Sequence, residues 1–248
     1  MNSVLQTLTE RKAKGEKSLA VLLDPDKLKV QERLDRMMEL IRHAGVDFVF
    51  VGGSLIVEDN FEDCLRQIKA ISPVPVVLFP GSPAQVSPNA DAILFLSLIS
   101  GRNPELLIGH HVAAAPILQK LNLEIIPTGY MLVDCGKPTT ASYISQTLPI
   151  PWNKPEIAAV TALAGQMLGL KCMYLDGGSG AEKPVSEHMI RAVRSAVLTP
   201  LIVGGGIRTE RDALDAYAAG ADLLVVGTAF EEEPELLFSL SNCRSSAI

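Results

Sequence analysis

Three groups of residues in this chain have types and spacings suited to chemistry. The first is Asp24-Pro25-Asp26-Lys27, with Gly52-Gly53-Ser54 further along. Carboxylates and hydroxyls are hard oxygen donors, so Asp24 with Ser54 suits Mg2+ and a phosphate-bearing substrate. An Asp before proline also starts turns, which gives Asp24 a second reading as a cap. The second group is Asp176 at the head of Gly177-Gly178-Ser179-Gly180. A carboxylate there can serve as a general base, or brace the glycine loop through an Asx turn. The third is Gly204-Gly205-Gly206 together with Gly227-Thr228. A phosphate needs several converging N–H groups with no Cβ in the way, which glycine provides. One Gly pair would read as a tight turn, whereas three successive glycine-rich segments read as a phosphate cradle. The GxGxxG spacing of a nicotinamide site is absent.

Each of these groups follows a short, β-branched-rich apolar run. Eight such runs recur: Leu19–Leu23, Phe48–Val51, Pro75–Phe79, Ala92–Leu96, Glu124–Pro127, Cys172–Leu175, Pro200–Val203 and Asp222–Val226. Most are apolar without alternation, as strands buried on both faces should be. Segments of helical period separate them, at Val30–Ala44, Asn60–Ala70, Pro104–Leu121, Pro155–Leu168, Ser186–Val197, Thr209–Ala219 and Pro234–Leu240. One run per ~31 residues is the size of a βα unit. Eight units predict an α/β fold, a closed (β/α)8 TIM barrel, with a doubly wound open sheet as the alternative. The stretch after Phe79 reads PGSPAQVSPNAD. Its prolines and lack of apolar period predict a loop in place of the third helix. In such barrels the active site lies at the C-terminal ends of the strands, and phosphate sites commonly use the loops after strands seven and eight. Thr128-Gly129-Tyr130 is expected to form the loop after the fifth strand.

Composition narrows the function classes. The 248 residues are 48% apolar and 20% charged, which excludes disorder. The net charge of -6 disfavours a nucleic-acid partner. Cys64, Cys135, Cys172 and Cys243 are far apart and form no CxxC pair, so neither a disulfide scaffold nor a zinc knuckle is expected. His110 and His111 are neighbours in a helical segment and cannot chelate together, so they read as packing or surface groups. Glu231, Glu232, Glu233 and Glu235 read as acids opening the last helix. The polar stretch Met1–Lys17 is not a signal peptide, and no apolar run reaches the ~20 residues that span a bilayer. The expectation is one domain, residues 1–248, in the cytoplasm.

LLDPDK (Leu22–Lys27), VGGS (Val51–Ser54), YLDGGSGA (Tyr174–Ala181), VGGGIR (Val203–Arg208) and VVGTAFE (Val225–Glu231) together resemble the geranylgeranylglyceryl phosphate synthase family. GRNPELLIG (Gly101–Gly109), IPTGYMLVDCG (Ile126–Gly136) and KPEIAA (Lys154–Ala159) extend the resemblance through nearly the whole chain. It implies a modified barrel whose third helix is an extended loop. It implies a prenyltransferase of ether-lipid synthesis that joins a polyprenyl diphosphate, geranylgeranyl diphosphate here, to sn-glycerol 1-phosphate. It implies that Asp24 and Ser54 bind Mg2+. It implies that Tyr174, Leu175, Asp176, Gly177, Gly178, Ser179, Gly180, Gly205, Gly206, Gly227 and Thr228 hold glycerol phosphate. Many members carry Glu where this chain has Asp176, one methylene shorter. The family forms dimers or hexamers, and its lipid product implies transient membrane contact.

With Asp176 as the base, the prenyl tail needs an apolar groove. The missing third helix leaves room for one, with Leu94, Leu96 and Leu98 as lining candidates or as ordinary core. Trp152, the only tryptophan, reads as an interface anchor or as local packing. The rival enzyme is an isomerase or lyase of a small phosphosugar, which calls for a second acid–base group or a strand-end lysine. A barrel that only binds glycerol phosphate or a protein partner would not need the Asp24/Ser54 pair.

Overall fold

A computed structural model describes residues 3–28, 31–58 and 60–246. Nine strands follow in chain order: β1 (Ser18–Leu23), β2 (Phe48–Val51), β3 (Val76–Leu78), β4 (Ala92–Leu98), β5 (Glu124–Asp134), β6 (Ile150–Pro151), β7 (Cys172–Asp176), β8 (Leu201–Gly204) and β9 (Leu223–Val226). All pair in parallel, in the order β4-β3-β2-β1-β9-β8-β7-β5, and β4 pairs with β5 to close the barrel. The two-residue β6 pairs only with the end of β5. The expected (β/α)8 barrel is therefore present, and the open sheet is excluded.

The uniform apolarity of the strands has a direct cause. One set of side chains, including Ala20, Phe48, Phe50, Val77 and Ile202, fills the barrel interior. The alternate set, including Leu19, Val21, Val49 and Val203, packs outward against helices. Those helices are α1 (Val4–Ala13), α2 (Gln31–Ala44), α3 (Phe61–Ile71), α4 (His110–Leu118), α5 (Thr140–Ser145), α6 (Pro155–Met167), α7 (Glu187–Ala196), α8 (Glu210–Ala219), α9 (Thr228–Glu232) and α10 (Leu236–Ser246). α2 buries Leu34, Met37, Met38 and Ile41, the stripe its period predicts; the expected start at Val30 lies outside the described residues. α8 opens with a capping box in which Thr209 and Asp212 each satisfy the other's backbone N–H.

Between β3 and β4 there is no α-helix among the described residues, only a single 3-10 turn at Pro83–Gln85. Gln85 is buried and anchors this loop to the neighbouring one: its Nε2 donates to Gly53 O at 3.0 Å, and its Oε1 accepts from Gly81 N–H at 3.1 Å. The helix expected over Pro104–Leu121 opens instead with one π-turn, Glu105–Gly109, before α4 begins. The expected end of the fifth strand is also displaced. β5 runs on through Thr128-Gly129-Tyr130 to Asp134, because β4 and β7 both pair with it there. Pro127 lacks an N–H, yet it stands one residue before the β7 ladder begins at Thr128, where no donor is lost.

The opposite mouth of the barrel is closed by α1, which the polar composition of its segment does not announce. Val4 and Leu8 pack into the interior, and the N–H groups of Val4 and Leu5 donate to the Glu124 carboxylate at 2.6 and 3.0 Å. On the same face Asp47 is gripped by Arg11 and, at 2.6 Å, by Arg244, and it accepts from Leu19 N–H at 2.9 Å. This knot ties α1 and α10 to the loop before β2. Asp47→Ala would leave Arg244 without its counter-charge and Arg11 with only the exposed Glu16 at 3.5 Å. The expected cost is about 2–4 kcal/mol, read as a lower urea midpoint with an unchanged slope.

Candidate active site

The C-terminal ends of the strands surround a cleft of roughly 1200 Å³ of open space. At the end of β1, the Asp24 side chain caps the following turn, its Oδ1 accepting from Asp26 N–H at 3.1 Å. Asp24 also lines the cleft, so its two readings coexist in one residue. Its Oδ2 lies 3.9 Å from Lys27 Nζ. Partial burial raises its pKa, and the Asp26 N–H and the Lys27 charge oppose that shift. Asp26 turns away and staples the loop after β2, accepting from Val57 N–H at 2.9 Å and Glu58 N–H at 3.2 Å. That staple holds Gly53-Ser54 beside Asp24; a Cβ built on Gly53 would lie 3.9 Å from Asp24 Oδ1. Ser54 lines the cleft as well. Among the described residues no three His, Cys, Asp or Glu side chains form a metal-holding cluster. One carboxylate and one hydroxyl nevertheless fit Mg2+, which keeps several waters and takes substrate phosphate oxygens into its shell.

Across the cleft, β7 ends in Asp176, which is 7% exposed. Its Oδ1 accepts from Gly178 N–H at 2.7 Å, and its Oδ2 accepts from the Tyr130 hydroxyl at 2.6 Å. Burial pushes the Asp176 pKa up, and these two donors hold it back by favouring the charged form. The Asx turn is thus real, and it leaves the carboxylate at the cleft wall. Tyr130 and Tyr174 are pushed well above the usual phenol range by burial and by Asp176, so both remain protonated donors. Phe79 stacks on Tyr174 with ring centres 5.4 Å apart and meets Tyr130 edge-on at 5.7 Å.

The glycine loops converge beside Asp176. Gly178, Ser179, Gly180, Gly205, Gly206, Gly227 and Thr228 all line the cleft, and Ser179 Oγ lies 3.2 Å from Thr228 Oγ1. Two members of the expected set stand apart. Leu175 is fully buried with its side chain in the outer core, because its inward neighbours on β7 are Tyr174 and Asp176. Gly177 gives its N–H to Gly204 O at 3.0 Å and lies against Cys135, so it shapes the loop without lining the cleft. Glu231 and Glu232 belong to the short α9, while Glu233 and Glu235 precede α10, whose first turn holds no acid. Glu231 pairs with Lys27 at 2.7 Å and Glu232 with Arg208 at 3.6 Å, so they leash two cations that line the cleft, and Glu231 also stands in the first turn of α9. Tyr130, Lys27 and Arg208 are site residues that the motif reading missed. For Tyr130 the signal is the alternation Ile126, Tyr130, Leu132 on the inward face, visible once β5 is allowed past Gly129.

A second, apolar cavity of about 850 Å³ opens on the flank without a helix, between β3 and α4. Leu94, Leu96 and Leu98 line it, and Leu94 and Leu98 also belong to the barrel core, so both readings of these residues apply. His110 and His111 line it too; His111 is buried edge-on to Phe95 at 4.3 Å, the packing role expected of it. The two cavities share Gly53, Ser54, Phe79, Tyr130 and Ala141. Trp152 is half-buried, donates from Nε1 to Pro184 O at 2.9 Å and lies under Lys183 Nζ at 4.0 Å, which is local packing.

Comparison with known proteins agrees with this geometry. Residues 11–241 match the model of the PcrB family. The geranylgeranylglyceryl phosphate synthase of Chitinophaga pinensis is 51% identical over 99% of this chain and 97% of its own length. That of Spirosoma linguale is 53% identical over 94% of each chain. The crystal structure of (S)-3-O-geranylgeranylglyceryl phosphate synthase from Thermoplasma acidophilum, in complex with its substrate sn-glycerol-1-phosphate, superposes with a TM-score of 0.92 at 34% identity. It covers 99% of this chain and all of its own.

The two glycine turns respond differently to an added carbon. Gly205 has φ +80°, and a Cβ there would lie 2.7–2.8 Å from backbone atoms of Gly177 and Gly178. Gly227 has φ −124°, and its Cβ would meet Leu22 at an ordinary 3.4–3.8 Å. Gly205→Ala is expected to lose about 1–3 kcal/mol of stability, and Gly227→Ala to unfold at nearly the parental temperature. Thermal unfolding of the two variants checks this difference.

Proposed function

The chain belongs to the PcrB family, and on that premise we propose that it joins geranylgeranyl diphosphate to sn-glycerol 1-phosphate, releasing diphosphate, as a Mg2+-dependent prenyltransferase of ether-lipid synthesis. The observation that carries this reading is the continuity of a polar, glycine-lined cleft with a long apolar groove through five shared residues. The first suits a phosphate and a diphosphate, the second a prenyl tail. A small phosphosugar has no use for the groove, and no lysine lies within a barrel strand to form a Schiff base.

The glycerol phosphate sits with its phosphate against Gly178–Gly180, Gly205-Gly206 and Gly227-Thr228, where backbone N–H groups and the start of α9 face the cleft. Held at that end, it presents one hydroxyl toward the junction with the groove. Asp24 and Ser54 hold the metal, which when bound offsets the charge of the diphosphate leaving group. Lys27 and Arg208 line the cleft as well, each paired with a glutamate of α9. The glycerol 3-hydroxyl oxygen bonds to the allylic C1 as the C1–O bond to diphosphate breaks. Diphosphate departs with the bonding electron pair, and the hydroxyl proton passes to Asp176. The hydrocarbon tail lies along Leu94, Leu96 and Leu98, out of water, and the product passes to a membrane surface that the protein touches transiently. Among the described residues no helix is long and apolar enough to cross a membrane. All four cysteines are free, as suits a cytoplasmic setting.

The same reading includes a homo-oligomer. α6 turns Ile157, Val160, Met167 and Leu168 outward, 42–80% exposed, a face that a second copy would cover. Trp152, engaged locally, is not part of it.

Two measurements test these assignments. Asp24→Asn should weaken Mg2+ binding, so added Mg2+ restores part of the turnover. Asp176→Asn should keep the parental Mg2+ dependence while losing turnover by about 10²–10⁴; parental turnover in this variant would remove Asp176 as the base, and rescue by Mg2+ would move it to the metal site. For assembly, Val160→Asp should lower the mass seen by light scattering to that of one chain while Trp152→Ala leaves it unchanged. The reverse result would return the interface to Trp152.

A further inference from the structure

Among the described residues that line the cleft, Asp176 is the only carboxylate with a hydrogen-bond donor on each oxygen. Gly178 N–H comes from its own loop, and the Tyr130 hydroxyl comes from β5. The Tyr130 ring has little freedom. It packs edge-on to Tyr174 at 5.4 Å and to Phe79 at 5.7 Å, and its backbone is paired with Leu98 on one side and Tyr174 on the other. It is 8% exposed, and it is one of the residues common to the polar cleft and the apolar groove.

We propose that Tyr130 is a positioning residue: its hydroxyl fixes the Asp176 carboxylate at the junction of the two cavities and keeps it ionised, ready to accept the proton of the glycerol hydroxyl. The step beyond fixing the carboxylate rests on Asp176 being the base. A free aspartate can rotate about its Cβ–Cγ bond. Donors on both oxygens oppose that rotation and leave a lone pair on each oxygen in a fixed direction for an incoming hydroxyl. The groups facing Asp176 are few: Tyr130 from β5, Tyr174 from its own strand, and Cys135 from the end of β5, whose thiol burial pushes up to about 12. All three are neutral at working pH, so the hydrogen bonds from Tyr130 and Gly178 carry the support of the negative charge.

The sign of the effect follows. A donor to the charged form lowers a carboxyl pKa, so removing the hydroxyl raises it. Activity that needs ionised Asp176 then falls away at a higher pH than in the parent. Tyr130→Phe keeps the ring, its two aromatic contacts and the burial. It is expected to lower kcat on the order of 10-fold to 100-fold, with the KM for sn-glycerol 1-phosphate changed less than about 2-fold, and to move the acid limb of the pH profile upward. In an Asp176→Asn background the same change should have little further effect on kcat. An independent readout is the carboxyl carbon signal of aspartate-labelled protein that disappears in Asp176→Asn; its titration midpoint should rise in Tyr130→Phe. An unmoved midpoint overturns the proposal whatever the activity does, and so does a full additive loss in the double variant. A raised midpoint together with parental turnover in Asp176→Asn would support the bracing of the carboxylate and reject Asp176 as the base.

Discussion

Closure of the sheet between β4 and β5 is the constraint on which the site depends. These strands pair over seven residues, from Ala92 with Glu124 to Leu98 with Tyr130. A barrel normally shields each strand pair with a helix. On the β3–β4 flank a 3-10 turn and a proline-rich loop stand instead, and β3 pairs with β4 over only two residues, so β4 is held in the wall chiefly by its ladder to β5. Its register matters because a one-residue slip would exchange the two faces of a strand. In the observed register Tyr130 faces inward beside Tyr174, and Leu132 is level with Asp176. The tyrosine stands one inward position below the carboxylate on the neighbouring strand, and its hydroxyl spans that step to reach Asp176.

The fold divides recognition between two kinds of surface. Anions are met by backbone N–H groups and two leashed cations, hydrocarbon by aliphatic side chains. This division is compatible with a net charge of -6, since amide dipoles supply positive potential locally without adding basic residues. The cations Lys27 and Arg208 are neutralised by Glu231 and Glu232 of α9. The same short helix begins at Gly227-Thr228, so the elements that would receive phosphate and those that restrain the cations move as one piece.

Much of this was legible in the residues. The glycines, Asp24 and Asp176 could be placed at strand ends because each follows an uninterrupted apolar run, and the prolines after Phe79 announced the missing helix. The misreadings share a cause. Pro127 and Gly129 look like breakers in isolation, and only the neighbouring strands reveal that Pro127 pairs with Phe95 of β4 and falls just outside the β7 ladder. Leu175 sits inside a motif rich in cleft residues, yet strand alternation sends its side chain outward. Glu231 is a first-turn acid, but of α9 and not of the last helix, and only the folded chain brings Lys27, far away in sequence, to its side chain. Pairing partners distant in sequence decided each case, and local pattern carries no record of them.

One knot of charge has a consequence for how the molecule can be handled. Arg11 near one end of the chain and Arg244 near the other both grip Asp47, at the mouth that α1 plugs. Both extremities of the described chain therefore lie on the face opposite the cleft, with α1 running across that mouth from Glu124 toward Asp47. A tether spanning that mouth, with new ends opened in an exposed loop elsewhere, would trace the same barrel in a different order. An anchor to a solid support attached at either extremity would present the cleft outward, to whatever phase lies on the other side.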